Sequence, residues 1–396
     1  MKLLKFCLFA MLCAVVGHAS ASAAEPYDIH VVLSRTGAGA LLGEGQIKAL
    51  EILKNMVNGE GGIDGHPLNF IVHDDQSSPQ IAVQATSEIL ATHPAFILGA
   101  GLTATCSAMV PMVRKGPVMY CLSPGISPER GSYAFSATIP HDGFLQAVVK
   151  YFHDRGFKRI ALIMSTDSTG HDGERAADRA IGLPEMAGMQ VVERVHFNPG
   201  DVSLSAQIAR VADAHPQAII AWSTGTAMGT VLRGLKQGNV DVPLATSTGN
   251  LLYSFMDRFA DLLPSELVFA GGPGMLDDPR LHLDPRVVAR IKQRVALFKA
   301  AGVVLDDAAE TVWDPVLMAV EALRKFGPNA SATQIRDYLM GLDSWPGVYG
   351  VYDFHRVPQR GLDASNAVIT RWDAARHRFE AVSQPGGGPI AGATSR

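Results

Sequence analysis

The sequence predicts an α/β fold in which two doubly wound parallel sheets form two lobes. Short apolar runs that indicate buried strands alternate with amphipathic helical runs along most of the chain. This alternation is typical of parallel sheets covered by helices on both faces. A second series of the same kind begins at Gly143, and the chain of 396 residues is long enough for two domains.

The first series predicts one lobe. Helices tolerate proline in their first turn, and Ser78, immediately before Pro79, is a suitable helix cap. The predicted strands are Ile29–Leu33, Leu68–Val72, Phe96–Leu98 and Val118–Tyr120, and the helices are Glu44–Val57, Pro79–Thr92 and Cys106–Val113.

The second series predicts the other lobe. It begins with Gly143–Arg155, and its helices are Gly173–Gly182, Ser203–Ala214 and Met228–Gln237. Strands are predicted at Ile160–Met164, Val191–Val195, Ala218–Trp222 and Leu244–Ala245. Ligands of such sheets bind beyond the carboxyl ends of the strands, so a cleft between two lobes is the natural place for a ligand.

The pattern changes in the last third of the chain. Three helical stretches follow one another, at Asp284–Ala300, Ala308–Phe326 and Ala332–Gly341. Strands are predicted at Val348–Phe354 and Ala367–Trp372. Residues 385–396 are rich in Gly, Pro and Ser, which favours a flexible tail.

The first 23 residues have the pattern of a cleavable signal peptide. Lys2 and Lys5 precede the apolar stretch Leu3–Val16, and Ala21-Ser22-Ala23 is an A-x-A cleavage site. The apolar stretch is too short for a transmembrane helix, and Leu12 before Cys13 disfavours a lipoprotein anchor. We therefore expect an exported, soluble protein in the periplasm.

The charge and the cysteines limit the function further. Without Lys2 and Lys5 the chain has 32 basic and 38 acidic residues, a net charge of −6, and no basic run stands out. This balance argues against a nucleic-acid partner. Only Cys106 and Cys121 follow the leader, and two buried free thiols are favoured over a disulfide, although the pair is able to bridge in an oxidising compartment.

Two loops carry most of the functional signal. Gly99-Ala100-Gly101-Leu102-Thr103-Ala104-Thr105 and Leu122-Ser123-Pro124-Gly125-Ile126-Ser127-Pro128 each follow a predicted strand. The first loop leads into a helix, where free backbone N–H groups and nearby hydroxyls favour a small anion such as a carboxylate.

Four other chemistries are less favoured. The Gly99-x-Gly101-x-x-Ala104 pattern lacks the acidic residue that a dinucleotide site needs after the next strand. The sequence contains no G-x-S-x-G elbow, the nucleophile motif of many hydrolases.

Two acidic clusters also have simpler explanations. Asp74 and Asp75, near His66 and His73, lack metal-site spacing and suit turn and cap chemistry. The acids of His171-Asp172-Gly173-Glu174 suit a helix start better than acid–base catalysis.

These features together resemble the periplasmic solute-binding proteins of ABC importers of the branched-chain amino acid (Leu/Ile/Val) family, which have the type I periplasmic binding fold. The resemblance covers nearly the whole chain after the leader. Its supporting stretches, in order, are Thr36-Gly37 with Gly43, Gly59 to Leu68, Asp74-Asp75 with Pro79, Ala82, Val83 and Ala85, Leu98-Gly99, Leu122-Ser123-Pro124 and Leu232-Arg233.

The resemblance implies a two-lobed clamp with a three-segment hinge. One lobe would comprise residues 24–141 and 273–346, and the other residues 142–272 and 347–384. A ligand carboxylate would bind the hydroxyls of Thr103 and Ser127 and backbone N–H groups near Thr105 and Ser127. The other implied ligand-binding residues are Ala104, Ile126, Leu42 over the ligand side chain, and Thr224, Thr226 and Thr248 in the second lobe.

The sequence departs from the family where the family holds an ammonium group. In Thr246-Ser247-Thr248-Gly249-Asn250, Thr248 occupies the position of the usual acid. Gly170-His171 replaces a Tyr-Gly pair, and Ser77 occupies one position of a cysteine pair. Because a buried ammonium without a counter-charge is costly, the ligand is either an aliphatic amino acid or an acid without an α-ammonium group, such as an aromatic carboxylate.

The expected function is therefore binding without chemistry. The partners are a small carboxylate and an inner-membrane ABC permease, the chain acts as a monomer, and no cofactor or metal is implied. A secreted enzyme on the same scaffold is the rival class, and a sensor domain is a third.

Overall fold

The computed structural model describes residues 24–391. The predicted signal peptide, residues 1–23, and the last five residues of the predicted tail lie outside the described residues. Two sheets with helices on both sides form two lobes, which confirms the predicted α/β class. No helix within residues 24–391 combines the length and the apolar character needed to cross a membrane.

The first sheet is fully parallel. Its strands are β1 (Tyr27–Leu33), β2 (Leu68–Asp74), β3 (Phe96–Gly99), β4 (Val118–Cys121) and β5 (Ala134–Ser136), in the spatial order β2-β1-β3-β4-β5. Three helices connect the first four strands: α1 (Ala40–Gly59), α2 (Pro79–Leu90) and α3 (Thr103–Met109). Ser78 caps α2 by accepting a hydrogen bond from the backbone N–H of Ile81, which confirms the predicted cap.

The second sheet is mainly parallel. Its first five strands alternate with helices α4 (His141–Asp154), α5 (Ser168–Ile181), α6 (Ser205–Asp213), α7 (Thr226–Gln237) and α8 (Tyr253–Arg258). The strands are β6 (Arg159–Ser165), β7 (Gln190–Phe197), β8 (Ala218–Trp222), β9 (Leu244–Thr246) and β10 (Leu267–Gly271).

The last third of the chain contributes elements to both lobes. Helices α9 (Pro285–Ala301), α10 (Asp307–Phe326) and α11 (Ala332–Met340) follow, and α10 packs against α1. Two-residue strands β11 (Trp345–Pro346) and β12 (Val351–Tyr352) pair with each other. Strands β13 (Val368–Asp373) and β14 (Arg378–Ala381) then join the second sheet antiparallel, giving the order β14-β13-β10-β9-β8-β6-β7.

The chain therefore passes between the sheets three times, after β5, after β10 and after α11. This matches the predicted three-segment hinge. Several helices begin earlier than predicted, for example α3 at Thr103 instead of Cys106 and α5 at Ser168 instead of Gly173. Two further local expectations also differ from the structure. The strand predicted at Val348–Phe354 is reduced to β12, because Val348 and Tyr349 donate their backbone N–H groups to Asp314 instead of to a strand. Within the predicted flexible tail, Pro389 pairs with Ser383, and Ile390 is buried against the second lobe.

Candidate functional site

A cavity lies between the two lobes, at the carboxyl ends of strands from both sheets. The loops after β3 and β4 meet the loops after β6, β8 and β9 there. Such edges are where open α/β sheets bind ligands. The first lobe contributes Leu42, Leu102, Thr103, Ser123, Asp307 and Thr311, and the second contributes Thr169, Thr224, Ser247 and Thr248. Thr138 and His141 lie at the crossover between the lobes.

Two hydroxyls and an imidazole form one end of the cavity. The Oγ1 atom of Thr103 lies 2.8 Å from the Oγ atom of Ser123, which also accepts the backbone N–H of Gly125 at 3.2 Å. A side chain at Gly125 would collide with Thr103 and come within 3.0 Å of the His141 ring. This end therefore concentrates hydrogen-bond donors, as a carboxylate requires.

His141 is held in place by a carboxylate on α5. Its Nδ1 atom lies 2.7 Å from Oδ2 of Asp172, and the edge of its ring packs against Trp222. Burial acts to raise the pKa of Asp172, but hydrogen bonds and charge from His141 and Arg175 lower it overall. An ionised Asp172 accepts the Nδ1–H, so the imidazole carries its second nitrogen, Nε2, free for another partner. His141 belongs to no recognisable sequence motif, and the sequence indicates only a helix start for Asp172.

The second-lobe hydroxyls are fixed by a buried amide. Asn250 donates from Nδ2 to the carbonyl of Ser223 at 2.8 Å and accepts the N–H of Gly225 at 2.8 Å. Ser247 donates to the same Ser223 carbonyl at 2.7 Å and lies 3.2 Å from the Thr224 hydroxyl. The loops after β8 and β9 are thereby joined, which places Thr224 and Thr248 at the cavity wall.

A carboxylate from α10 completes the lining. Asp307 is 1% exposed, and its Oδ1 atom accepts the hydroxyl of Tyr349 at 3.0 Å. Burial raises the pKa of Asp307, and hydrogen bonds from Thr248 and Tyr349 and the charge of the buried Arg294 offset this only in part. Asp307 gives no sequence signal of a binding role, because an acid at a helix start ordinarily reflects capping or the helix dipole.

Four of the nine predicted ligand-binding residues line the cavity: Leu42, Thr103, Thr224 and Thr248. The other five do not. Ala104 and Thr105 lie further along α3, where the Thr105 hydroxyl donates to the carbonyl of Leu102. Thr226 is exposed at the start of α7.

The loop after β4 explains the positions of Ile126 and Ser127. The buried guanidinium of Arg360 donates to the carbonyls of Pro124 and Ile126, and also to those of Ala137 and Thr138. This holds the loop against its own lobe, so Ile126 is buried and Ser127 is exposed. The serine at the cavity is Ser123, four residues earlier.

The expectation that the two cysteines are free thiols is wrong. Cys106 on α3 and Cys121 at the end of β4 form a disulfide, with Cα atoms 6.1 Å apart, a separation within the usual range. Strands β3 and β4 are parallel neighbours, and α3 starts just beyond the end of β3, so α3 brings Cys106 to the end of β4. Both cysteines are fully buried.

The earlier metal and acid–base candidates have other partners. Asp74 accepts hydrogen bonds from Arg35, Thr36 and Gln76. Glu174 pairs with Arg194 and His196. Among residues 24–391, no group of three or more His, Cys, Asp or Glu side chains is arranged to hold a metal ion.

Comparison with known proteins supports the inference drawn from the fold. A family model described as "Periplasmic binding protein" matches residues 26–377. The chain belongs to the periplasmic binding protein family. A leucine-, isoleucine-, valine-, threonine- and alanine-binding protein of Pseudomonas aeruginosa is 26% identical over 238 residues, which are 59% of this chain and 63% of that protein. The match thus spans less than two thirds of this curated relative.

Solved structures share the fold. An extracellular ligand-binding receptor from Rhodopseudomonas palustris superposes with a TM-score of 0.79 at 19% identity, covering 90% of this chain and 99% of that one. A fatty acid ABC transporter substrate-binding protein from Thermomonospora curvata superposes with a TM-score of 0.72 at 18% identity, covering 93% and 91%. At these identities the likeness establishes the two-lobed fold.

Proposed function

We propose that this chain is the substrate-binding component of an ABC import system, located in the periplasm. It binds a small carboxylate solute between its lobes and presents it to an inner-membrane permease, without catalysing a reaction. Membership in the periplasmic binding protein family supports the binding role. The predicted signal peptide at residues 1–23 supports the location.

One observation carries the proposal: donors converge at one end of the interlobe cavity. The Thr103 and Ser123 hydroxyls lie 2.8 Å apart, and His141 lines the same end. No side chain within the described residues caps the N-terminus of α3, which begins at Thr103. A carboxylate accepts several hydrogen bonds at once and suits such a group of donors.

Two classes of ligand fit this group of donors. The Pseudomonas aeruginosa relative binds aliphatic amino acids, by its name, and so favours a ligand of the branched-chain type. By the resemblance, Thr248 stands where the family has an ammonium-binding acid, and the structural neighbour from Thermomonospora curvata is named for fatty acids. Both points favour a carboxylate without an amine, aromatic or aliphatic.

A thermal-shift screen of the chain starting at residue 24 tests the proposal. Carboxylates of both classes are compared with their primary amides, which keep the shape but lack the charge. A ligand at 100 times its Kd adds about 2.7 kcal/mol of stability, so the midpoint should rise with the acid and not with the amide. Equal shifts with acid and amide, or turnover of the bound acid on prolonged incubation, would contradict the proposal.

A further inference from the structure

We infer that Asp307 on α10 binds a protonated nitrogen of the ligand, so that the solute is an amino acid or a similar zwitterion. The inference rests on the proposed function and defines its ligand. The second lobe lacks the expected acid at Thr248, but the structure brings a carboxylate to the same cavity from the first lobe.

Asp307 has one oxygen without a protein partner. Its Oδ1 atom accepts the Tyr349 hydroxyl at 3.0 Å, whereas Oδ2 has no hydrogen-bond partner among the described residues. The side chain lines the cavity and is 1% exposed. A buried carboxylate oxygen left unpaired is costly, and a ligand N–H donor in the cavity would remove that cost.

The other two buried acids on α10 do not line the cavity. Asp314 accepts the backbone N–H groups of Val348 and Tyr349 and the hydroxyl of Tyr352 at 3.0 Å. Glu310 pairs with the guanidinium of Arg294 at 3.1 Å. Three buried acids thus share one buried arginine on this side of the cavity, and burial raises the pKa of each of them. A cation next to Asp307 would stabilise the ionised form of this carboxyl.

Thr248 supplies a second acceptor beside Asp307. A Cβ atom at Gly271 would lie 3.8 Å both from Oδ1 of Asp307 and from Oγ1 of Thr248. The Thr248 hydroxyl is buried and has no partner at hydrogen-bond distance within residues 24–391, but it lies close enough to Asp307 to lower the pKa of that carboxyl. A hydroxyl that donates to Asp307 still has lone pairs to accept a ligand N–H. The ligand nitrogen therefore needs at least two N–H donors, which selects a primary or secondary ammonium group and excludes a quaternary one.

Two groups of polar residues in the cavity have different neighbours. Gly125 borders Thr103 and His141, whereas Gly271 borders Asp307 and Thr248. The first group has hydroxyls and an imidazole, and the second has a hydroxyl and a carboxylate. A zwitterion is complementary to both groups, with its carboxylate near Ser123 and its ammonium group near Asp307.

Calorimetry with matched ligand pairs tests the inference. Each aliphatic L-amino acid is paired with its deaminated acid, for example leucine with 4-methylpentanoate. Amino acids should bind on the order of 10- to 100-fold more tightly than their partners, as expected for a hydrogen bond to a charged group. Asp307→Asn should abolish this preference. Asp306→Asn is the matched control, because it removes a neighbouring charge from a side chain that does not line the cavity.

Three outcomes separate the claims. Deaminated acids that bind as tightly as amino acids, or an Asp307→Asn protein that keeps the preference, would refute the inference and leave the proposed function intact. Failure of both members of every pair to bind would refute the inference, and the thermal-shift screen, which includes aromatic acids, would then decide the proposed function separately. If Asp307→Asn does not fold, Thr248→Val provides the test, since it should weaken amino acids and spare their deaminated partners.

Discussion

Ser123 and Ser127 offer a matched test of where the ligand carboxylate binds. Ser123 is 1% exposed at the cavity beside Thr103, whereas Ser127 is exposed outside it. Ser123→Ala removes a donor to a charged group, which is worth about 1.5–3 kcal/mol. We expect titration calorimetry to show affinity reduced by about 10-fold or more. Ser127→Ala should bind as the unchanged protein does, and the opposite ranking would assign the carboxylate to the loop beyond Pro124.

The site residues differ in how far local sequence could predict them. Thr103, Thr224 and Thr248 follow strand ends, and parallel strands place their carboxyl ends at one edge. The prediction placed Ser127 at the ligand, whereas the structure has Ser123, four residues earlier, at the cavity. The difference arises because Arg360, more than 200 positions away in the chain, sets the path of this loop. Asp307 reaches the cavity only through the packing of α10 against α1, which no local pattern encodes.

Among the elements, those within the two strand–helix series were predicted, and several at the ends of these series were missed. Strand β8 spans Ala218–Trp222 as predicted, and the long helix α10 differs at its start by one residue. Strands β5, β10 and β14 and helix α8 have between three and six residues each. Length alone does not explain the difference, because β8 has five residues, as β10 does. A run this short shows too little periodicity to be identified without a neighbouring strand–helix pattern.

The disulfide joins two elements that support the binding loops. It links α3, which starts with Thr103, to the end of β4, just before Ser123, and its partners are 15 residues apart. Reduction should lower the free energy of unfolding by about 3 kcal/mol, measured by denaturant titration. Thiol titration of the denatured chain from residue 24 should find none before reduction and two after it. A Cys106→Ala/Cys121→Ala variant is the control, and its stability should not respond to reductant.

At the scale of the whole molecule, the lobes touch beside the cavity. Leu41, Leu42 and Leu102 of the first lobe pack with apolar residues of the second. Gly225, in the loop after β8, lies directly against the carbonyl of Ala38, so there is no room for a side chain between them. The two-lobe organisation was predictable from the repeated strand–helix pattern, but this contact depends on how closely the lobes approach. In a hinged clamp it forms on closure.

Gly225→Ala should therefore prevent full closure. The added methyl group would collide with the Ala38 carbonyl, so ligand affinity should fall by about 10-fold or more, and small-angle scattering should show less compaction on ligand addition. The φ angle of +70° at Gly225 adds backbone strain to any substitution. Gly156→Ala controls for that strain, because its φ angle is +80° and no atom lies within 4 Å of the added group. The Gly156→Ala protein should lose some stability but still bind the ligand and close, because Gly156, unlike Gly225, does not lie between the lobes. Normal closure of Gly225→Ala would mean that the Ala38 contact is not needed for the bound state.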